Sequence, residues 1–141
     1  MPHPRALVAV PVLLLVVSLL SGCAFTNLLS SREKEQVFDT RAQAAASPTA
    51  LLVMPAFVPA DAVHLRIRVS LDGKGELLRY ASPTPLDAAS CARGPLQGTP
   101  GIVASWWPEI TPKNGAQCGA GWQAFQTSGT TFAWHDDTPG A

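Results

Sequence analysis

The chain has 141 residues with ten basic and ten acidic side chains, so its formal net charge is zero. A neutral chain of this length argues against a nucleic-acid-binding protein, which normally carries a basic excess, and it leaves room for one small domain plus extra segments. Thirteen prolines and eleven glycines disfavour long helices over most of the sequence. We therefore expect no nucleic-acid partner.

The first 22 residues have the pattern of a secretory signal peptide. Arg5 supplies a positive charge near the start, and fifteen uncharged residues follow from Ala6 to Leu20. That run is shorter than the roughly 20 apolar residues of a membrane-spanning helix, and it contains Pro11. A charged start, an apolar run of this length and small residues after it are typical of a cleaved export signal.

The export signal ends in Leu20-Ser21-Gly22-Cys23, which resembles the lipobox of bacterial lipoproteins. In that family a diacylglyceryl group is attached to the cysteine thiol, and a signal peptidase cleaves just before this residue. The resemblance implies that Cys23 carries fatty acyl chains such as palmitate and anchors the protein to the extracytoplasmic face of the cell membrane. Two acyl chains suffice for stable anchoring. The alternative is an unmodified cysteine in an uncleaved anchor.

Residues 23–49 are predicted to form a lipidated stalk that is partly helical or disordered. A capping-box pattern at Ser30 and Glu33, followed by alanine-rich sequence, predicts a helix from about Ser31 to Ala46. Its apolar face is thin, and an isolated helix of that length is marginal in water. We therefore interpret it as a spacer, with a helix docked on the domain as the alternative.

Residues 50–135 are predicted to form a small β domain, followed by a tail at residues 136–141. The clearest signal is VHLRIRVS at residues 63–70, where apolar and polar side chains alternate. Period-two alternation indicates a strand with one buried and one solvated face. Further strands are expected in GIVASWW at residues 101–107, in GWQAFQTS at 121–128 and in TTFAWH at 130–135, with Ser128-Gly129 as the turn of a hairpin.

A turn signal at Asp72-Gly73 predicts a hairpin between the strand at 63–70 and the next one. A two-residue turn places Ile67 opposite Leu78. The same register places Leu65 opposite Tyr80, so that apolar side chains meet on the buried face. Leu77 is then expected on the solvated face, together with a row of arginines.

Cys91 and Cys118 both lie in the exported part of the chain. With Cys23 carrying lipid, as the resemblance implies, these two are left to form one disulfide in an oxidising compartment. Their spacing does not suit a metal site or a redox-active pair, so we expect neither metal nor cofactor. The fold class expected is mainly β: a small antiparallel sheet or open barrel of four to five strands with one disulfide, after an N-terminal signal helix and a partly helical stalk.

Two groups of residues are candidate binding surfaces. On a strand, Trp106 and Trp107 would face opposite sides, so one of them is expected to be exposed and able to stack on a sugar or a partner. The alternative is that both belong to the core. Arg66 is expected opposite Arg79, where like charges repel, and with Arg68 they form a basic face that an anionic polymer or lipid headgroup could bind. The alternative is a solvated strand face neutralised by nearby carboxylates.

The stretch WHDDT at residues 134–138 invites a metal or acid–base interpretation, but it lies at the start of the tail, and no recognised catalytic motif occurs in the chain. The segments FVPADAVHLRIRV, SWWPE and CGAGWQAF resemble small uncharacterised lipoproteins of actinobacteria, the high-GC Gram-positive bacteria, for which that resemblance implies no activity. We therefore expect a non-enzymatic interaction module of the cell envelope. A small-ligand or glycan-binding lipoprotein is the alternative, and an envelope hydrolase comes third.

Overall fold

The structure is a computed structural model that describes residues 32–136. The predicted signal peptide, the lipobox and the last five residues lie outside this range. The described residues contain no helix that is both long and apolar enough to cross a membrane. They form seven strands and one short helix: β1 (Glu33–Thr40), α1 (Arg41–Ala46), β2 (Val63–Ser70), β3 (Glu76–Ala81), β4 (Cys91–Pro95), β5 (Asn114–Cys118), β6 (Gln123–Thr127) and β7 (Thr130–His135).

All seven strands belong to one open antiparallel sheet in the order β1-β2-β3-β7-β6-β5-β4. The predicted mainly β class is confirmed, but the sheet has more strands than the expected four to five. The strand expected at residues 101–107 is absent from the sheet, and this segment is a loop. Three strands were missed, and two of them, β4 and β5, have the sequences CARGP and NGAQC. Neither sequence shows an alternation of large apolar residues.

The first strand replaces most of the predicted helix. The chain is extended over Glu33–Thr40, and only Arg41–Ala46 is helical. The helix begins after Thr40, whose side-chain oxygen accepts a hydrogen bond from the backbone N–H of Gln43 at 3.2 Å. The alanine-rich sequence thus forms a helix where it was expected, but the residues before it pair with β2. The β domain consequently begins at Glu33 rather than near residue 50.

The register of the β2–β3 hairpin is the predicted one near the turn. Ile67 is paired with Leu78, and the backbone N–H of Ser70 donates to the carbonyl of Gly75 at 2.9 Å. Turn residues at Asp72-Gly73 therefore specified the pairing of side chains several residues away.

The same hairpin contains a β-bulge towards its open end. The register shifts between Val63 and Arg66, so the predicted pairing of Leu65 with Tyr80 falls inside the irregular part. His64 has a φ of 54° there. One extra residue on β2 explains both observations, because a bulge sets two residues of one strand against one of its partner.

Both faces of the sheet are buried, which the alternation in β2 alone did not predict. Leu77 was expected on the solvated face, but it is completely buried. Its face is covered by the loop between β4 and β5, and the opposite face is covered by α1 and the loop that follows it. We call the first cluster the tryptophan core; it contains Leu77, Ile102, Ala104, Trp106, Phe125, Phe132 and Trp134. The second, the helix-side core, includes Ala44, Phe57, Val58, Leu65, Ile67, Leu78, Tyr80 and Trp122.

The predicted disulfide is present and lies at one edge of the sheet. Cys91 on β4 and Cys118 on β5 are directly opposite each other, with their Cα atoms 4.1 Å apart. The bond joins two short strands that have few large side chains of their own. It therefore fixes the register of this edge.

Candidate functional site

The two candidate tryptophans lie on the same side of the sheet rather than on opposite sides. Trp106 and Trp107 belong to the loop between β4 and β5, and their ring centroids are 6.2 Å apart. The expectation of opposite orientations depended on a strand that does not form. Trp106 is 9% exposed, so its ring is not fully exposed. The predicted strand is also absent at these two positions.

Trp107 forms the centre of an aromatic cluster. Its ring meets the rings of Phe125, Phe132 and Trp134 edge to face, at centroid distances of 5.8, 5.6 and 6.0 Å. Its indole nitrogen donates to Thr111 Oγ1 at 3.4 Å. Edge-to-face contacts of this kind stabilise a core beyond the apolar area they bury. The alternative interpretation, that these tryptophans form core, therefore describes their observed positions better.

The predicted basic face is neutralised by carboxylates of β1. Arg68 Nη2 lies 2.6 Å from Glu33 Oε2, and its Nη1 lies 3.3 Å from Glu35 Oε2. Arg66 Nε lies 3.6 Å from Glu35 Oε1. These carboxylates were missed because β1 was expected to be a helix outside the domain. Two of the three candidate arginines are thus already in ion pairs within the chain.

The third arginine of this face contacts the tryptophan core. Arg79 is paired with Arg66 in the sheet register, as predicted. Its guanidinium carbon lies 5.9 Å from the centroid of the Trp106 ring, a cation–π distance. Its Nε is buried and has no hydrogen-bond partner within residues 32–136. Trp106 and Arg79 therefore lie together, but as a packed pair rather than an open surface.

The histidine and aspartate at the end of β7 have structural contacts. The His135 ring packs against Trp122 with centroids 5.6 Å apart, and Asp136 Oδ1 accepts a hydrogen bond from the backbone N–H of Gly101 at 3.0 Å. Asp137 lies outside the described residues. Within residues 32–136, no three His, Cys, Asp or Glu side chains are arranged to hold a metal ion.

A groove that the sequence did not predict lies on the helix-side face of β4, β5 and β6, beside the disulfide. Its volume is about 320 Å³, and we call it the Arg93 groove. Such a volume is near the lower end of the range for small-molecule sites, roughly 300–1,000 Å³. Its lining consists of Leu86, Ala88, Cys91, Arg93, Pro112, Asn114, Gly115, Ala116, Ala124, Phe125 and Gln126.

The groove forms where β5 and β6 separate and where the side chains are small. Pairing between these strands is limited to Ala116 with Ala124 and the adjacent glutamines. Both strands continue past this point, to Asn114 on β5 and beyond Gln126 on β6. The small side chains of Ala116 and Ala124 leave space that larger side chains would fill. Arg93 stands opposite Ala116 across the β4–β5 pair.

A hydrogen-bond network that is buried at Tyr80 and Thr131 and exposed at Gln126 supports one wall of the groove. The amide nitrogen of Gln126 donates to Thr131 Oγ1 at 3.0 Å, and the fully buried Thr131 side chain is in turn hydrogen-bonded to Tyr80. Burial raises the pKa of Tyr80, and the hydrogen bond from Thr131 partly opposes this effect. The network engages the amide nitrogen of Gln126, whose side chain is exposed at the groove.

A second groove, of about 610 Å³, is mostly apolar. It lies between the loop after α1 and the short 3₁₀ turn at Gly119–Gly121. Phe57 and Trp122 form its base, with ring centroids 5.8 Å apart, and Val53 at its rim is 91% exposed. Both grooves involve residues of the loop before β4.

Comparisons of the chain with protein-family models, with curated proteins and with solved structures gave no match. No sequence signal identified Arg93, Asn114 or Gln126, because each lies in a different short strand and only the fold brings the three together.

Proposed function

We propose that this chain is a lipoprotein anchored at Cys23 and that its β domain acts as a non-enzymatic interaction module on the extracytoplasmic face of the cell membrane. The Cys91–Cys118 disulfide is the observation that carries the proposal. Disulfides persist in oxidising compartments and are rare in the cytosol, so this bond supports export. With two of the three cysteines joined, Cys23 is the thiol left for lipid.

The early start of the sheet limits the distance between the domain and the membrane. Nine residues, 24–32, separate Cys23 from Glu33, the first residue of β1, and the ten steps between the two Cα atoms span at most about 36 Å. The tether is thus shorter than the stalk expected from the sequence. An anchored domain would present its surfaces to partners close to the membrane.

The anchor is tested by changing Cys23→Ser in the full-length chain. We expect the wild-type protein in the membrane fraction with incorporated labelled fatty acid, and the variant without label. The matched control is the double variant Cys91→Ser with Cys118→Ser, which should keep the label because its lipobox is intact. An unmodified and uncleaved N-terminus in mass spectra of the wild-type protein would refute the lipoprotein proposal.

Ligand binding is the second candidate function, and the Arg93 groove favours it. The groove combines one guanidinium, two amides and an apolar wall, which is the usual composition of a small-molecule site. A hydrolase ranks third. The Arg93 groove is lined by apolar, amide and arginine side chains, and the lining of the second groove adds the hydroxyl of Ser90. Hydrolysis needs a general base beside the nucleophile, and the described residues that line the two grooves include no histidine or carboxylate.

Affinity isolation from detergent-solubilised membranes separates the first two candidates. Recovery of one protein with the wild-type chain, cross-linked to a defined surface of the domain, would favour the interaction module. Retention of a glycan without a protein partner would favour ligand binding. Catalytic turnover of an envelope polymer by the purified chain would contradict both.

A further inference from the structure

We propose that the Arg93 groove binds a small ligand that carries a carboxylate, and that this ligand is an acidic sugar unit. The proposal rests on the second candidate function, ligand binding, and it does not require the lipid anchor. An anionic partner was expected at the predicted basic face. The Arg93 groove would instead bind it at a different arginine, at the opposite edge of the sheet.

Arg93 differs from the arginines of the predicted basic face in having its charge available. Arg66 and Arg68 are in ion pairs with carboxylates of β1, and Arg79 is packed against Trp106. Arg93 is exposed, lines the groove, and makes no ion pair within residues 32–136. A guanidinium presents a planar fork of donors that matches a carboxylate with two parallel hydrogen bonds.

The charge of the groove suits a single negative charge. Arg93 is the one charged residue in the lining formed by the described residues. The carboxylate nearest in sequence to the wall, Asp87, already accepts hydrogen bonds from the backbone N–H of Ala89 at 3.0 Å and from Ser90 Oγ at 3.2 Å. One guanidinium balances the single charge of a carboxylate, whereas a phosphate monoester carries nearly two at neutral pH.

The remaining side chains of the groove suit a hydroxylated ring. Asn114 and Gln126 line it with amides, and amides can both donate to and accept from hydroxyl groups. The hydrogen bond to Thr131 favours one orientation of the exposed Gln126 amide before any ligand binds. Leu86 and Pro112 supply apolar surface for the C–H groups of a sugar. The volume of about 320 Å³ matches a unit of monosaccharide size rather than a long polymer.

The disulfide positions the arginine. Cys91 lies two residues before Arg93 on β4, and Cys118 lies two residues after Ala116, the partner of Arg93 on β5. The covalent bond therefore fixes the strand pair that carries the guanidinium. A site fixed in advance loses less conformational entropy when the ligand binds.

The test is an NMR titration of the full-length wild-type protein in detergent with D-glucuronate, D-glucose and inorganic phosphate. We expect saturable binding of glucuronate, and binding of glucose at least about tenfold weaker, since a hydrogen-bonded charge is lost. Arg93→Gln should weaken glucuronate binding by a similar factor. Lys74→Gln, which removes the same charge on the β2–β3 turn, should leave it unchanged. Arg93→Lys keeps the charge but lacks the fork, and should fall between Arg93→Gln and the wild type.

Several outcomes would overturn the proposal: no saturable binding of glucuronate, equal binding of glucose, tighter binding of phosphate, or unchanged affinity in Arg93→Gln. Equal binding of N-acetylalanine would overturn the assignment to a sugar, because that probe carries a carboxylate on a peptide unit. The variant Cys23→Ser separates the two proposals. If the anchor proposal is wrong, Cys23→Ser and the wild type are found in the same fraction, and glucuronate binding is unaffected. If the groove proposal is wrong, Cys23→Ser leaves the membrane fraction as expected, but the protein does not bind glucuronate through Arg93.

Discussion

At the scale of single residues, buried polar groups and glycines set the geometry of the groove. Tyr80, Thr131 and Gln126 form a hydrogen-bonded chain from the helix-side core to the groove wall. The two buried members, Tyr80 and Thr131, are tolerated because their polar groups are satisfied. The sequence alone assigns no function to Thr131 or Gln126. Their role follows from contacts between β3, β7 and β6.

The raised pKa of Tyr80 predicts sensitivity to alkali. Burial favours the neutral phenol, so the folded-state pKa lies above the unfolded value of about 10. The stabilisation is fully present below that unfolded value and is lost as the pH rises through the folded pKa. Tyr80 is the only tyrosine in the chain, so the ultraviolet absorbance of tyrosinate reports this residue alone. We expect its titration above pH 10 together with unfolding; a midpoint at the ordinary value in the folded protein would contradict this.

Two glycines that face each other across β4 and β5 provide a matched pair of variants. A side chain at Gly115 would collide with the carbonyl of Ala124 and with Leu96, whereas a Cβ at Gly94 has no heavy atom within 4 Å. Gly115→Ala should therefore lower the free energy of unfolding by about 1–3 kcal/mol, the usual cost of overpacking. Gly94→Ala should be neutral or raise it by up to about 1 kcal/mol. Equal effects in denaturant titrations would refute the difference in packing.

At the scale of elements, β1 shows how a local helix signal can be overruled. The sequence EKEQVFDT precedes alanines and carries a capping pattern, yet it pairs with β2 over nearly its whole length. Its glutamates meet the arginines of β2, and Phe38 packs against the helix-side core. Gln36 also binds the loop after α1, with its amide donating to Thr49 and accepting from Leu51. These contacts are made only when both strands are in place.

The ion pairs between β1 and β2 predict a salt-sensitive contribution to stability. Arg68 is only 25% exposed and contacts both Glu33 and Glu35, so Arg68→Met should lower the free energy of unfolding by about 1 kcal/mol. The effect should shrink at high salt. Arg32→Met is the control, because that side chain is 79% exposed and its nearest carboxylate oxygen is 3.7 Å away. Thermal unfolding of both variants at two salt concentrations tests this; an equal loss in the control would contradict it.

At the scale of the whole molecule, one open sheet carries a core on each face. The tryptophan core is covered by the loop between β4 and β5, and the helix-side core by α1 and its following loop. Covering two faces with irregular segments requires a fixed edge from which the covering loop departs and to which it returns. The Cys91–Cys118 bond lies at this edge and closes the loop.

The disulfide should therefore contribute strongly to global stability. Its two cysteines are 27 residues apart, and closing a loop of this size stabilises the folded state by about 3.5 kcal/mol in the chain-entropy model. Reduction, or Cys91→Ser with Cys118→Ser, should lower the denaturant midpoint accordingly. Reductant should have no further effect on the double variant. An unchanged midpoint after verified reduction would contradict the prediction.

An element could be predicted where the residues that specify it lie close together in the sequence. The strands β2, β3, β6 and β7 follow from alternation and from turn signals at Asp72-Gly73 and Ser128-Gly129. The strands β4 and β5 could not be predicted, since their short sequences, CARGP and NGAQC, show no alternation of large apolar residues. The same applies to the groove, whose arginine and amides come from three different strands.

The sequence by itself determined the central hairpins, because their pairing depends on neighbouring residues and turn signals. The pairing of Cys91 with Cys118 was expected only because the lipobox resemblance assigns Cys23 to lipid, and the structure contains that bond. Only the tertiary structure decided that β1 is a strand, that Trp106 and Trp107 share one core, and that Arg93 rather than Arg66 has its charge available. The physical reason is that the residues which contact each other are far apart in the sequence. Arg68 and Glu33 are 35 positions apart, so whether a charge is paired or available depends on which strands become neighbours.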